Sequence, residues 1–270
     1  WDCWQKQNQP AQVAGKTQAP QAAAALPGGT APAPATSLAS AAAPTPSAVP
    51  AVAQVAPAAG EKASVKTDLY LAEIASVGGD LVRLELTQHK ATEDKSQHFV
   101  LMEISKERTY LAQTGLIGEG LPNHKTEFKL KAESYELKPD EAKIEIRLEA
   151  PEVNGLKVAK IYTFHRGSYQ IDVGYEIANR RQTPLAAHAY YQLTRDGKVP
   201  EASMTNIATF TGPAIFTDEG KFQKIEFAEV DKGKAKFVQK ANNGWLAMVQ
   251  HYFVAGWTPQ GSDEREFFVR

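Results

Sequence analysis

The chain carries a single cysteine, Cys3, so no disulfide can close within it and cysteine usage says nothing about its compartment. No apolar run reaches the roughly 18 residues that a membrane-crossing helix needs, and no signal-peptide core is present. The chain is therefore not expected to span a membrane by itself. An excess of charge is missing too. A formal net charge of -1 provides no concentrated basic surface for phosphates, which excludes nucleic acid as a partner. The catalytic vocabulary is equally thin, with no G-x-S-x-G, no Gly-rich phosphate cradle and no candidate catalytic cysteine.

Six histidines are present: His89, His98, His124, His165, His188 and His251. They are scattered, without H-x-H, H-E-x-x-H or C-x-x-C spacing, and a lone histidine on a strand is usually a surface or hydrogen-bonded core residue. Glu145 and Glu149 alternate with hydrophobes, which marks a solvated strand face and not a carboxylate dyad. Trp245, Tyr252 and Trp257 could line a sugar-binding groove, although aromatics in such a run are more often core. No catalytic, cofactor-binding or metal-binding residue is assigned. The chain is not read as an enzyme.

What is present falls into two parts. Residues 1–60 open on Trp1-Asp2-Cys3-Trp4-Gln5-Lys6, which reads either as the wet edge of a transmembrane helix or as a chance aromatic pair. Ala, Pro, Gly, Ser, Thr, Val and Gln follow, with Lys16 the only charge from Pro10 to Gly60 and prolines recurring throughout. Only Leu26 and Leu38 are bulkier than valine, too few to repay the ordering entropy. The expectation is a disordered tether of roughly fifty residues that holds a folded domain away from a surface.

Residues 61–270 are written in strand patterns. Val65–Ile74, then Gly78-Gly79-Asp80, then Leu81–Leu86 read as a hairpin. Val100–Ile104 and Thr109–Gln113 are shorter strands, and Gly115–Lys125 is a loop. Further strands are expected at Glu127–Ala132, Ser134–Leu137 and Lys143–Glu149, the last in strict apolar/charged alternation. Asn154-Gly155 turns that strand into Leu156–Phe164, and Arg166-Gly167-Ser168 turns again into Tyr169–Ile177. Leu185–Leu193, Ile207–Phe210, Lys224–Phe227 and Ala235–Val238 complete the series, with a helical turn at most near Asp218–Lys221. The run from Trp245 to Trp257 is read as one core strand. In that reading Trp245, Ala247, Val249, Phe253 and Trp257 point one way, and Leu246, Met248, Tyr252 and Val254 the other. Many short strands between Gly/Pro turns give an all-β sandwich of antiparallel meanders. Glu266–Arg270 looks like the opening of a further strand, so the chain is expected to be a fragment, incomplete at its C-terminus.

Gly244–Phe253, followed by Trp257 and Pro259, resembles the signature strand of the periplasmic domain in the YidC family of membrane protein insertases. The same resemblance is carried by Lys66-Thr67-Asp68 with Gly78-Gly79-Asp80, by Gln113-Thr114-Gly115-Leu116, and by Thr163-Phe164 with Arg166-Gly167 and Tyr169. Val173, Asn179, Phe210, Gly212, Ala214, Lys221, Lys224 and Phe227 stand at family-like positions, and Trp4-Gln5 is similar to the residues after that family's first transmembrane helix. The resemblance implies an antiparallel β-supersandwich similar to the galactose-mutarotase fold, without that enzyme's activity. It implies a location on the periplasmic side of the bacterial inner membrane. The implied partners are Sec translocon components and nascent membrane proteins. The family's insertion chemistry sits in a helical membrane core with a grooved arginine; none of that core is here, and Arg270 is not that arginine. An accessory docking domain is the function so implied. The alternative is a carbohydrate-binding or aldose-epimerase-like sandwich, which would need a histidine and a carboxylate converging in a cleft.

Overall fold

The computed structural model describes residues 60–91, 93–198 and 209–270, all within the compact unit Ala41–Arg270; the other unit, Trp1–Ser40, lies outside them. The expected tether, and Ile207 and Ala208 of one expected strand, are therefore outside the described residues.

In chain order the first strands are β1 (Lys62–Lys66), β2 (Tyr70–Ala75), β3 (Leu81–Lys90), β4 (His98–Ile104), β5 (Thr109–Ile117) and β6 (Ser134–Glu136). Next come β7 (Lys143–Glu149), β8 (Leu156–His165), β9 (Ile171–Asn179) and β10 (His188–Arg195). The last third holds β11 (Gly212–Thr217), β12 (Lys221–Lys224), helix α1 (Phe227–Asp231), β13 (Lys240–Ala241), β14 (Trp245–Gln250), β15 (Phe253–Trp257) and β16 (Arg265–Glu266). The fold is all-β, as the turn chemistry demanded, and every strand pairing but β1–β6 is antiparallel.

Seven strands form the large sheet in the order β10-β5-β4-β3-β2-β1-β6. The three-stranded sheet β7-β8-β9 and the hairpin β14–β15 pack against it. Val65, Tyr70, Leu84, Leu86, Met102 and Tyr110 from the large sheet meet Ile146, Leu148, Tyr162 and Phe164 from the small one, with Met248 in the same core. Phe253, Ala255 and Trp257 cover this core from the side. A separate cluster of Ile215, Ile225 and Phe267 lies under the sheet β12-β11-β14-β15.

The alternating stretch 143–149 forms β7 with the expected bounds, Ile146 and Leu148 fully buried and Lys143, Glu145 and Glu149 in water. Asn154 and Gly155 both take positive φ, 49° and 77°, which is what a two-residue hairpin turn requires. Other expectations are corrected. Val65–Ile74 is two strands, because the Thr67 hydroxyl accepts from the amides of Leu69 and Tyr70 and closes a tight turn. β5 runs on into the expected loop as far as Ile117, since Gly115 leaves room for the ring of Tyr190 on the neighbouring strand. Glu127–Ala132 makes only isolated bridges, Val77 to Glu127 and Lys129 to Glu149. Phe227 opens a short helix instead of ending a strand, and Ala235–Val238 is irregular, its Val238 amide donating to the Gln223 side chain.

The largest correction falls on the run from Trp245 to Trp257. It is a hairpin, broken at His251-Tyr252, where Tyr252 adopts a φ of 68°. Gln250 lies opposite Phe253, Met248 opposite Ala255 and Leu246 opposite Trp257. Phe253 and Trp257 thus share the face of Leu246 and Met248, not that of Trp245, Ala247 and Val249. A two-residue turn preserves cross-strand partners but shifts the alternation that one continuous strand would keep.

Candidate functional site

Three turns meet at one end of the domain. β3 carries His89 in the irregular stretch between its Leu86–Phe99 and Lys90–His98 pairs, β4 begins at His98 and Phe99, the β8–β9 turn presents Tyr169, and the β14–β15 turn presents His251, Tyr252 and Phe253. Phe253 stacks on Phe99 with centroids 4.1 Å apart, and the ring of His89 meets it edge-on at 5.3 Å. His89 also lies 6.1 Å from Tyr169, whose hydroxyl is 3.3 Å from His89 Nε2. The Asp68 carboxylate accepts from the amide of Gly167 and ties the β1–β2 turn to the same end.

Tyr169 is 49% exposed, Tyr252 84% and Val254 61%. A left-handed backbone at a non-glycine residue costs about 1–2 kcal/mol, yet Tyr252 stays mostly in solvent, its ring 3.6 Å from that of the neighbouring His251. Strained backbone and exposed aromatic rings thus coincide at the tip of a packed hairpin.

The chain enters the domain at the other end. There Glu61 accepts from the Ser76 amide beside the Gly78-Gly79-Asp80 turn. That turn sits over a buried polar cluster. Lys160, with no exposed side-chain surface, donates to the carbonyls of Gly78 at 3.0 Å and Thr114 at 3.2 Å. Its Nζ lies 3.8 Å from Asp80 Oδ1. The other carboxylate oxygen accepts from Gln113 at 2.6 Å, and Gln113 in turn accepts from Gln192 and Thr194. The Tyr162 hydroxyl donates to the Gly79 carbonyl at 2.6 Å. Burial lifts the Asp80 carboxyl to about 6 against the pull of Lys160 and Gln113, and burial pushes the Lys160 amine down to about 8 against the pull of Asp80. The side chains of the pair are almost wholly shielded from solvent, Lys160 at 0% and Asp80 at 5% exposure.

The six histidines stay apart. His98 pairs with Glu85, His165 with Asp172, and His188 is half-buried on β10. His124 is buried against Tyr190, its amide donating to the hydroxyl oxygen and its Nδ1 lying 2.6 Å from the same oxygen; burial, first of all, drives the ring down to about 4. His89 and His251 belong to the aromatic end. Among the described residues no group of three or more His, Cys, Asp or Glu side chains is placed to hold a metal ion. Glu145 and Glu149 pair with Lys143 and Arg147 on the wet face of β7, as the alternation indicated. Trp245, Tyr252 and Trp257 do not share a groove. Trp245 stacks on Phe216, Trp257 packs on Tyr191 and donates to the Gln192 carbonyl, and Tyr252 points into water. The grouping of His89, Phe99, Tyr169 and Phe253 was absent from the sequence reading; it is long-range, and no local spacing announces it.

Among the described residues no helix is long and apolar enough to cross a membrane. The family model that matches, over residues 62–270, is described as the YidC periplasmic domain. A membrane protein insertase YidC from Aromatoleum aromaticum is 51% identical over the whole of this chain, which covers 48% of that protein. The one from Nitrosospira multiformis is 46% identical, again over the whole chain and 49% of the relative. The one from Nitrosomonas europaea is 51% identical over 78% of this chain and 35% of its own length. The chain thus spans about half the length, or less, of these curated relatives.

Proposed function

Because the chain belongs to the YidC family of membrane protein insertases and matches its periplasmic domain, we propose that residues 61–270 are an accessory docking domain of such an insertase. It serves at the periplasmic face of the bacterial inner membrane. It engages Sec translocon components or nascent membrane proteins, while insertion is carried out by the part of the longer protein outside this chain. Its work is contact, not chemistry. The observation that carries the reading is the aromatic end, where Tyr169 and Tyr252 stand exposed beside the packed rings of Phe99 and Phe253. Exposed aromatics of this kind supply large contact area at low entropic cost. The tether expected before residue 61 would give reach without imposing geometry.

Two experiments test it in the full-length insertase: photocrosslinking from position 252 or 169, and, separately, chemical crosslinking of the insertase to translocon subunits with and without the tether and domain. Photo-adducts with a translocon subunit or a nascent chain are expected, as is weaker chemical crosslinking once the domain is deleted. A full-length protein whose crosslinks to translocon subunits are unchanged by the deletion would sink the docking role.

A further inference from the structure

The two sheets of the core meet through apolar side chains, and apolar contact has no direction. Tyr70, Leu84, Leu86, Ile146, Leu148, Tyr162 and Phe164 would bury nearly as much surface if β8 were displaced along its own axis. The hydrogen bonds at the Gly78–Asp80 turn do have direction. Lys160 and Tyr162 on β8 reach across to three carbonyls, those of Gly78 and Gly79 on the β2–β3 turn and Thr114 on β5. Gly79, at a φ of 58°, lets the turn close onto the lysine; a Cβ there would lie 3.1 Å from Lys160 Cδ.

We infer that the Asp80–Lys160 pair is a registration device: it fixes the one position in which the three-stranded sheet lies on the seven-stranded sheet, and is kept for that and not for stability. A buried ion pair gives up the hydration of both charges, and well-packed apolar replacements are often as stable or more so. The geometry here fits that cost. Asp80 Oδ1 accepts no hydrogen bond, and its 3.8 Å approach to Lys160 is too long for one. Among the described residues, Asp80 is the one carboxylate that acts on Lys160. Facing the pair are Tyr162 on β8, Tyr175 on β9 and Tyr190 on β10, with burial raising the pKa of each, and His124, which burial keeps neutral. Lys160 therefore depends on Asp80 for its counter-charge and on the carbonyls of Gly78 and Thr114 for its geometry.

The test is the paired substitution Asp80→Asn with Lys160→Met in the full 270-residue chain. The expected result is a folded protein whose urea midpoint is equal to or above that of the parent. Its amide spectrum should show two or more signals for many residues of β8 and the 76–80 turn, and amide exchange in β8 should quicken at least tenfold. A double variant with a single, parent-like set of signals would show that apolar packing alone sets the register and would overturn the inference. A double variant that does not fold, or whose midpoint falls, would show the pair to be a stabilising one and would overturn it equally.

Discussion

Phe253 stacks on Phe99, centroids 4.1 Å apart and planes 14° from parallel, although the two rings stand on strands of different sheets. This contact anchors the β14–β15 hairpin to the large sheet and leaves the neighbouring Tyr252 ring free in solvent. Anchor and exposed ring are separable by mutation. Phe253→Ala removes a half-buried ring and should cost roughly 2 kcal/mol, below the 3–5 kcal/mol of a fully buried phenylalanine, read as a lower urea midpoint. Tyr252→Ser should change stability by no more than ~0.5 kcal/mol while reducing crosslinking to partners. Unaltered crosslinking in Tyr252→Ser would remove the aromatic end from the docking account.

Two buried groups should bend the pH dependence of stability in opposite directions. The Asp80 carboxyl is lifted to about 6, so the folded state takes up its proton more readily than the unfolded chain. Its contribution is fully present below the unfolded value of ~3.9 and is lost as pH rises through 6. His124 is pushed down to about 4, so its contribution is present above ~6.5 and is lost as pH falls toward 4. Between pH 4 and 6 the two slopes oppose each other. His124→Phe should unmask the Asp80 slope, and urea midpoints that still do not fall from pH 4 to 6 in that variant would refute the assignment.

Glycines at positive φ should differ by what surrounds them. Gly244, at 103°, precedes β14, and a Cβ there would sit 2.1 Å from the Phe216 carbonyl oxygen. Gly167, at 67°, has nothing within 4 Å. Gly244→Ala should destabilise by at least ~3 kcal/mol through clash and strain together, and Gly167→Ala by about 1 kcal/mol through strain alone. Equal thermal shifts for the two variants would contradict the backbone described for Gly244.

The Thr67 hydroxyl accepts from two amides and donates to the Tyr70 carbonyl, all within one turn. Thr67→Ala should cost about 1–2 kcal/mol, whereas Thr67→Ser, which keeps the hydroxyl, should keep most of the stability. A serine variant as unstable as the alanine one would transfer the effect from the hydroxyl to the methyl group.

Much of the fold was legible because β-sheets alternate with period two and turns need particular residues. Strand β7 is visible in Lys143–Glu149, and the Asn154-Gly155 turn in its dipeptide. What escaped depended on side chains acting over a distance or against type. Thr67 is a good strand former, and only its hydroxyl's local bonds make it a turn. His251-Tyr252 has no glycine or asparagine to mark the break in the Trp245–Trp257 run, so the facing of Phe253 was assigned wrongly. The aromatic end then could not be assembled, since it joins residues from β3, β4, β9's approach and β15. The buried lysine was invisible for a related reason: Lys160 sits in a strand where Lys157 faces water, and only the Gly78–Asp80 turn folded over it makes the difference.

The polypeptide joins this domain beside the Gly78–Asp80 turn, and the exposed rings stand at the opposite end of β3. From Leu81 to His89 an extended strand rises about 26 Å at 3.3 Å per residue. Any rotation of the domain about Gly60 would therefore be read at Tyr169 and Tyr252 as an arc of about that radius, roughly 4–5 Å for each 10°.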